Sequence, residues 1–541
     1  MTRREWITAM SAAVVMPAAR GAERSAHCTI LDQHGVPVPP DAMGRFHICD
    51  LLLRPITIEP EIAPGEVAFE PPDKPFRISV PLRVPGFGHV FLYADNRGAG
   101  YTPSSFAKVG ELLLNYEFAA DRLATVRHLA EECRGLGVVV PAATERRITA
   151  AAELLQKADG VRRDRAACAR AAMESLSESL WAGEALVFER ARHRISKQAP
   201  RPGFLFGCNA FEFAKGADWY REYFAQLFNY ATIPFYRGML EHRRGEADYS
   251  EPEGILTALA RTRILVKGHP LIFLVADATP DWLKNLTFAE TQGLCLSHVK
   301  EAISRFRSRL HVWDVINEAH VQPETGTGMA GFTRAQNVEL TINALKAARE
   351  TDPTCFRVVN NTGTWCDYYM GRKPAPWQQS VYDYLTMLKE GGAGHEAIGL
   401  QYYHSGRDML EFERNLETFQ AFGKRVHLTE LGIASSSAEV PKSEWWGGGV
   451  GGTRLVWHGE QFSESSQADW FEQVYTIAYS KPWVDAISTW DFADPAFIPH
   501  GGLMNADGTP KESYHRLAAL LAEWRQKTDS PPNASTANPA A

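Results

Sequence analysis

The chain has 541 residues, 45% of them hydrophobic and 22% charged, with 57 basic against 64 acidic side chains and a net charge of −7. This is enough apolar material for a large core and enough length for two or more domains. The negative balance gives no electrostatic case for binding nucleic acid or an anionic membrane surface.

The N-terminus reads MTRREWITAMSAAVVMPAARGAE. Thr2-Arg3-Arg4-Glu5-Trp6-Ile7 resembles a twin-arginine export signal. An apolar run from Ile7 to Ala19 follows, too short to span a bilayer, and then small residues suited to cleavage. Residues 1–22 are therefore expected to be a signal peptide that takes the protein to the periplasm or outside the cell. No later stretch reads as transmembrane.

Residues 23–143 look β-rich. FRISVPLRV (76–84) and HVFLYADN (89–96) alternate or run apolar, with Pro and Gly between them. A small sandwich-like module is expected, either an ancillary packing unit or a carbohydrate-binding one. Residues 144–198 turn to Ala, Glu, Arg and Leu at helical spacing and read as a helical linker. From 199 to 527, eight short apolar runs alternate with helical patterns. The runs are 204–210, 226–232, 264–273, 311–318, 355–361, 397–403, 425–430 and 486–492. Eight such units predict an α/β fold, a (β/α)8 TIM barrel. The tail, 528–541, is low in complexity and is expected to be disordered.

The eight cysteines are scattered without a C-x-x-C pair, and the 17 histidines include no H-E-x-x-H. Neither a zinc site nor another cofactor is expected. WWGGGVGG (445–452) lacks the lysine and the strand-to-helix setting of a phosphate loop. Its Trp445 and Trp446 either stack on sugar or anchor the loop.

Catalytic groups in such a barrel sit at the C-terminal ends of the strands. HVWDVINE ends its strand on Asn317-Glu318, and RVHLTE ends on Glu430. These are the fourth and seventh runs, on opposite sides of the barrel mouth. Two opposed carboxyl groups suit glycoside hydrolysis, one protonated to donate to the leaving oxygen and one ionised to attack. Glu318 is assigned as acid/base and Glu430 as nucleophile. Neutral donors near Gln401 and His404 are expected to hold Glu430 ionised.

The barrel resembles glycoside hydrolase family 10, the β-1,4-xylanase family. WDVINE (313–318), KGHPL (267–271), IGLQ (398–401), HLTELGI (427–433), STW (488–490) and GLMNADGTPKESYHRL (502–517) carry the likeness. It implies a retaining mechanism with Glu318 and Glu430 in the assigned roles, and His269, Asn317, Gln401 and Trp490 lining the subsite at the cleaved bond. The family's Gln-x-His motif is one residue longer here, so either Tyr403 or His404 meets the nucleophile; His404 is taken as a substrate-site residue. The chain departs from the family where Glu-Asn and Lys usually follow the second strand. Pro234, Phe235 and Gly238 stand at those places, and Phe273-Leu274 replaces Trp-His.

The sequence thus predicts an exported, endo-acting, retaining β-glycosidase of β-1,4-xylan or a related plant polysaccharide. Its partner is that polysaccharide, with no nucleic acid and, after export, no membrane; the oligomeric state is not legible. The alternatives are a hydrolase of another β-linked glycan and a non-catalytic glycan-binding protein on the same barrel.

Overall fold

The structure, a computed structural model, describes residues 25–322, 332–365, 378–404, 406–438 and 456–529. The signal peptide expected over 1–22 lies outside the described residues, as do Trp445, Trp446 and positions 530–541.

The N-terminal strands are β1 (Ala26–Thr29), β2 (His47–Cys49), β3 (Pro55–Ile56), β4 (Glu61–Ala63), β5 (Glu66–Phe69), β6 (Arg77–Val84), β7 (Gly88–Ala94) and β8 (Glu111–Leu113). They form two four-stranded sheets, ordered β4-β5-β1-β8 and β3-β2-β6-β7. Cys28, Val67 and Phe69 from the first sheet share one core with Ile48, Ile78 and Val80 from the second. Burial of apolar side chains between two inner faces is what holds a sandwich of this size together.

Four helices follow: α1 (Pro103–Val109), α2 (Leu114–Gly135), α3 (Ala142–Gly160) and α4 (Arg165–Lys197). α2 falls inside the stretch read as β-rich. Its buried residues Leu114, Phe118, Arg122, Val126, Leu129 and Cys133 recur every three or four positions, a helical period rather than a strand's. α2 and α4 face two ways. Leu114, Phe118, Leu176 and Leu180 enter the sandwich core. Leu123, Val126, Leu186 and Val187 enter the barrel core. The stretch read as a linker is therefore a packed layer shared by two cores.

The remaining strands are β9 (Leu205–Asn209), β10 (Tyr230–Pro234), β11 (Leu265–His269), β12 (Val312–Asn317), β13 (Phe356–Asn361), β14 (Ala397–Tyr403), β15 (Arg425–Gly432) and β16 (Val484–Thr489). All pair in parallel and close into an eight-stranded barrel. One main helix follows each strand: α5 (Asp218–Leu227), α6 (Ser250–Leu259), α7 (Phe288–Phe306), α8 (Arg334–Thr351), α9 (Val381–Glu390), α10 (Met409–Thr418), α11 (Glu464–Tyr479) and α12 (Glu512–Asp529). The chain is a TIM barrel carrying two N-terminal sheets, as the apolar runs predicted. One run was placed too early: Gln226 and Leu227 complete α5, because Tyr220, Phe224 and Leu227 form its buried face. Residues 528–529, expected in the tail, close α12.

Sequence chemistry sets the helix starts. Thr287 and Glu290 cap α7 reciprocally, as Thr333 and Gln336 do for α8. Asp408 caps α10 by accepting from Leu410 N and Glu411 N. At the lower end of the barrel Tyr230, Val312, Val358, Ala397 and Ala486 fill the interior, leaving the polar side chains to the upper end. No helix among the described residues is long and apolar enough to cross a membrane.

Gly399 on β14 illustrates how tight the upper layer is. A Cβ there would lie 2.6 Å from Asn360 Oδ1 and 3.0 Å from both Thr429 Cγ2 and Val358 Cγ1. Gly399→Ala is predicted to destabilise the protein by about 1–3 kcal/mol in urea unfolding, the usual penalty of overpacking. It should also lower turnover, because Asn360 is the atom group that must move.

Candidate active site

The upper barrel interior is built by strand parity. Side chains on a strand alternate in direction, so on β14 Gly399, Gln401 and Tyr403 turn inward while Tyr402 turns out, its hydroxyl donating to Asn415 Oδ1 of α10 at 2.8 Å. The inward set meets the ends of β12, β13 and β15. Gln401 Nε2 donates to Glu318 Oε1 at 2.9 Å and reaches Asn317 Oδ1 at 3.4 Å. Asn360 Nδ2 donates to Asn317 Oδ1 and to Glu430 Oε1, each at 2.8 Å. Tyr403 Oη donates to Glu430 Oε2 at 2.7 Å. Thr429 Oγ1 donates to Asn360 Oδ1 at 2.5 Å, which fixes the amide's orientation. Glu318 and Glu430 are thereby joined through one chain of side-chain amides.

The two carboxyl groups differ. Glu430 is 5% exposed, and both its oxygens accept from neutral donors. Glu318 is only half-buried. Its backbone is left-handed, with φ 55° and ψ 28°, a conformation that costs a non-glycine residue energy and concentrates at functional sites. Its N–H donates to Asn360 O, so the same asparagine holds both glutamates.

Burial pushes the Glu430 carboxyl up to about 7, although His269 and the Tyr403 hydroxyl pull the other way. Desolvation therefore outweighs the neutral donors, which the sequence had suggested would hold the group ionised. Beneath it, Asp314 accepts from His269 Nδ1 at 2.7 Å and pairs with Lys267 Nζ at 2.6 Å, all three fully or almost fully buried. Burial alone would raise Asp314, but Lys267 and His269 outweigh it and keep the carboxyl below its usual range.

The other wall of the site is aromatic. Trp490 packs against His269 with ring centroids 5.2 Å apart and against Phe211 at 5.7 Å. Tyr236 lies edge-on to His269 at 5.5 Å and also touches Phe211 and Phe273. The Tyr236 phenol is held protonated by burial first and then by the fields of Glu430 and Glu318.

Of the residues expected here, Glu318, Glu430, His269, Asn317, Gln401 and Trp490 come together. His404 does not: it falls on the outward parity, and its ring packs against Phe462 and Trp470 at 6.2 and 6.3 Å. Tyr403 makes the contact that was left open between the two. Parity along AIGLQYYH carried that answer. Thr429 and Tyr236 were not expected as site residues; Asn360 and Lys267 were legible only as polar groups at strand ends that could face the site, and Asp314 read as structural. Pro234 and Phe235 are buried, Phe235 against Phe306 and Trp313. The backbone of Ala278 fills the space beside Gly238, where a Cβ would lie 2.8 Å from it. None of these three offers a hydrogen-bonding side chain to the cleft.

Residues 210–519, more than half the chain, match the family model described as Glycosyl hydrolase family 10. Endo-1,4-beta-xylanase B of Thermotoga neapolitana is 26% identical over 293 residues, covering 52% of this chain and 76% of that one. Endo-1,4-beta-xylanase 3 of Hypocrea jecorina is 25% identical over 169 residues, covering 31% of this chain and 46% of that one. Among solved structures, xylanase 10B from Thermotoga petrophila RKU-1 in complex with xylobiose aligns at 22% identity and a TM-score of 0.47, covering 59% of this chain and 94% of that one. The chain belongs to glycosyl hydrolase family 10 and is a glycoside hydrolase.

Two measurements test the state of Glu430. Tyr403→Phe removes a bond that favours the ionised form, so the acidic limb of kcat/KM should move to higher pH and the plateau should fall roughly 10–100-fold. In the folded protein Glu430 ionises near pH 7 against an ordinary value of 4.5. Its ionisation therefore destabilises the fold increasingly from pH 4.5 upward and fully above pH 7. Glu430→Gln should raise the melting temperature above pH 7 and leave it unchanged near pH 4.

Proposed function

We propose that this family 10 hydrolase is an endo-acting, retaining β-glycosidase that cuts β-1,4-xylan or a related plant cell-wall polysaccharide. The observation that carries the role assignment is the contrast between the two glutamates. Glu430 is buried and immobilised at both oxygens, as suits a nucleophile that must meet the anomeric carbon in one geometry. Glu318 is the half-buried member at the cleft surface, as suits a group that protonates the leaving sugar and then deprotonates an incoming water. In the first step Glu430 attacks and the leaving oxygen takes the Glu318 proton. In the second, water donates a proton back to Glu318 and its oxygen replaces Glu430 on the sugar. Asn317 has its Oδ1 occupied by Asn360 and Gln401, which leaves its Nδ2 group for a sugar hydroxyl.

The substrate reading rests on the relatives named as xylanases. A second reading, another β-linked glycan, draws on the cleft itself: Pro234, Phe235 and Gly238 supply no polar side chain, and Phe211, Tyr236 and Phe273 form the wall there. We also read residues 1–22 as an export signal on their sequence alone. N-terminal sequencing of the protein recovered outside the cytoplasm should begin after residue 22; a start at Met1 or Thr2 overturns that reading.

The main test is reducing-sugar release from xylan, arabinoxylan, mixed-linkage glucan, cellulose and mannan. Xylan should be cut into oligosaccharides of mixed length. Glu318→Gln and Glu430→Gln should each abolish release while the barrel stays folded by circular dichroism. Release from another polymer alone replaces the substrate; no release from any, with the barrel folded, overturns the reading.

A further inference from the structure

We infer that the N-terminal sandwich and the α2–α4 layer are a positioning part of the active site, clamping the segment that leaves the strand carrying Tyr403. This rests on the function proposed above.

The first segment follows β14. One residue past Tyr403 the chain turns outward, and Gly406 O accepts from Phe91 N of β7 at 2.8 Å. The Arg407 guanidinium lies 3.7 Å over the Phe91 ring and 5.0 Å from that of Trp365, and the residue is 4% exposed. Asp408, fully buried, takes both ends of the Arg122 guanidinium from α2 at 3.0 and 2.8 Å. Arg122 also meets Glu411. The segment that begins three residues after the Glu430 donor is thus held by a sandwich strand and by a helix of the N-terminal layer.

Residues 456–459, just ahead of α11, lie against the same layer. Gly459 N donates to Phe87 O at 2.9 Å. The His458 ring stacks on Trp457 and packs against Trp181 and Phe87. Gly88 lets the sandwich come this close: at φ +136°, its Cβ would stand 2.9 Å from Val456 O.

One carboxyl joins the two segments. Glu184 on α4, 3% exposed, accepts from Met409 N through Oε1 at 2.9 Å and meets His458 Nε2 through Oε2 at 2.6 Å. A module docked only for reach or for binding polymer would have no need of buried charges at the exit of β14. Glu184, together with Phe91 and Arg122, therefore fixes where the chain leaves β14, directly after Tyr403. Tyr403, the last residue of that strand, is the one whose hydroxyl reaches Glu430.

The test compares Glu184→Ala, Glu184→Gln and Arg407→Lys with wild type on the polymer that wild type cleaves. Glu184→Ala should lower kcat at least tenfold and change KM less than threefold. Its acidic limb should move to higher pH, because a loosened Tyr403 bond favours protonated Glu430; Lys267, His269, Glu318 and Tyr236 also face that group and are unaltered. Glu184→Gln keeps an acceptor for Met409 N and a polar partner for His458, and should recover most of the turnover. Arg407→Lys keeps the charge but loses the flat stack on Phe91, and should show the same kcat loss in a milder form; it decides the matter where Glu184→Ala does not fold. Folded variants with wild-type kcat and pH limb overturn the inference. An inactive wild type instead overturns the function on which it rests.

Discussion

A carboxyl group buried at the mouth of a barrel has lost most of its water, and its donors must come from the protein. In this chain the Asn360 amide does most of that work. Its Nδ2 group serves Glu430 and Asn317, its Oδ1 is fixed by Thr429, and its backbone carbonyl takes the N–H of Glu318. A single side chain with two donors and an acceptor is the smallest unit that ties two opposed glutamates together without introducing a charge. A cation in that place would favour the ionised form of Glu430 far more strongly than these neutral donors do. The absence of a Cβ at Gly399 follows from this arrangement, since the amide occupies that space.

The positive charges sit one layer lower. Lys267, His269 and Asp314 form a buried set in which the carboxylate is shared by two cationic or cation-forming partners. This supplies a field under Glu430 without a direct ion pair, strong enough to oppose desolvation but not to cancel it. The same logic holds at the outer rim. Glu184, Arg122, Asp408 and Glu411 are buried and paired, and buried pairs are weak as a source of stability but strict about geometry. Their placement at the exit of β14 puts that strictness next to Tyr403.

Much of this was legible in the sequence. Eight apolar runs with helical spacers gave the barrel, and two strand-final glutamates gave the carboxyl pair that meets at its mouth, because strand ends and apolar runs are local signals. His404 went wrong for a local reason that the sequence also held: parity from Gln401 puts Tyr403 inward and His404 outward. The run at 226–232 was misjudged because aromatic residues with helical spacing (Tyr220, Phe224, Leu227) lead straight into β10 without a breaker. α2 was hidden by its neighbours, being a helix attached to a β-rich stretch. Asn360 stood at a strand end like several other polar residues. Only the contact with three other strands shows its role, and such contacts are non-local by nature.

The cleft that results has two unlike walls. Asn317, Gln401 and the two glutamates make one side, and Phe211, Tyr236, Phe273 and Trp490 make the other. These walls select differently. A site built to hydrogen-bond a hydroxyl rejects a ligand lacking it strongly, because its own polar groups are left unpaired; an apolar wall distinguishes related ligands by only about 1–3 kcal/mol. On the function proposed above, a sugar facing the amides would be chosen by its hydroxyl pattern. Along the wall where Pro234, Phe235 and Gly238 stand, choice falls to the flat face of the ring and to Tyr236, the polar tip of that aromatic group. Stringency at the cleaved bond and tolerance beyond it would then follow from the same division that places the charged groups of the site on one side of the cleft or beneath it.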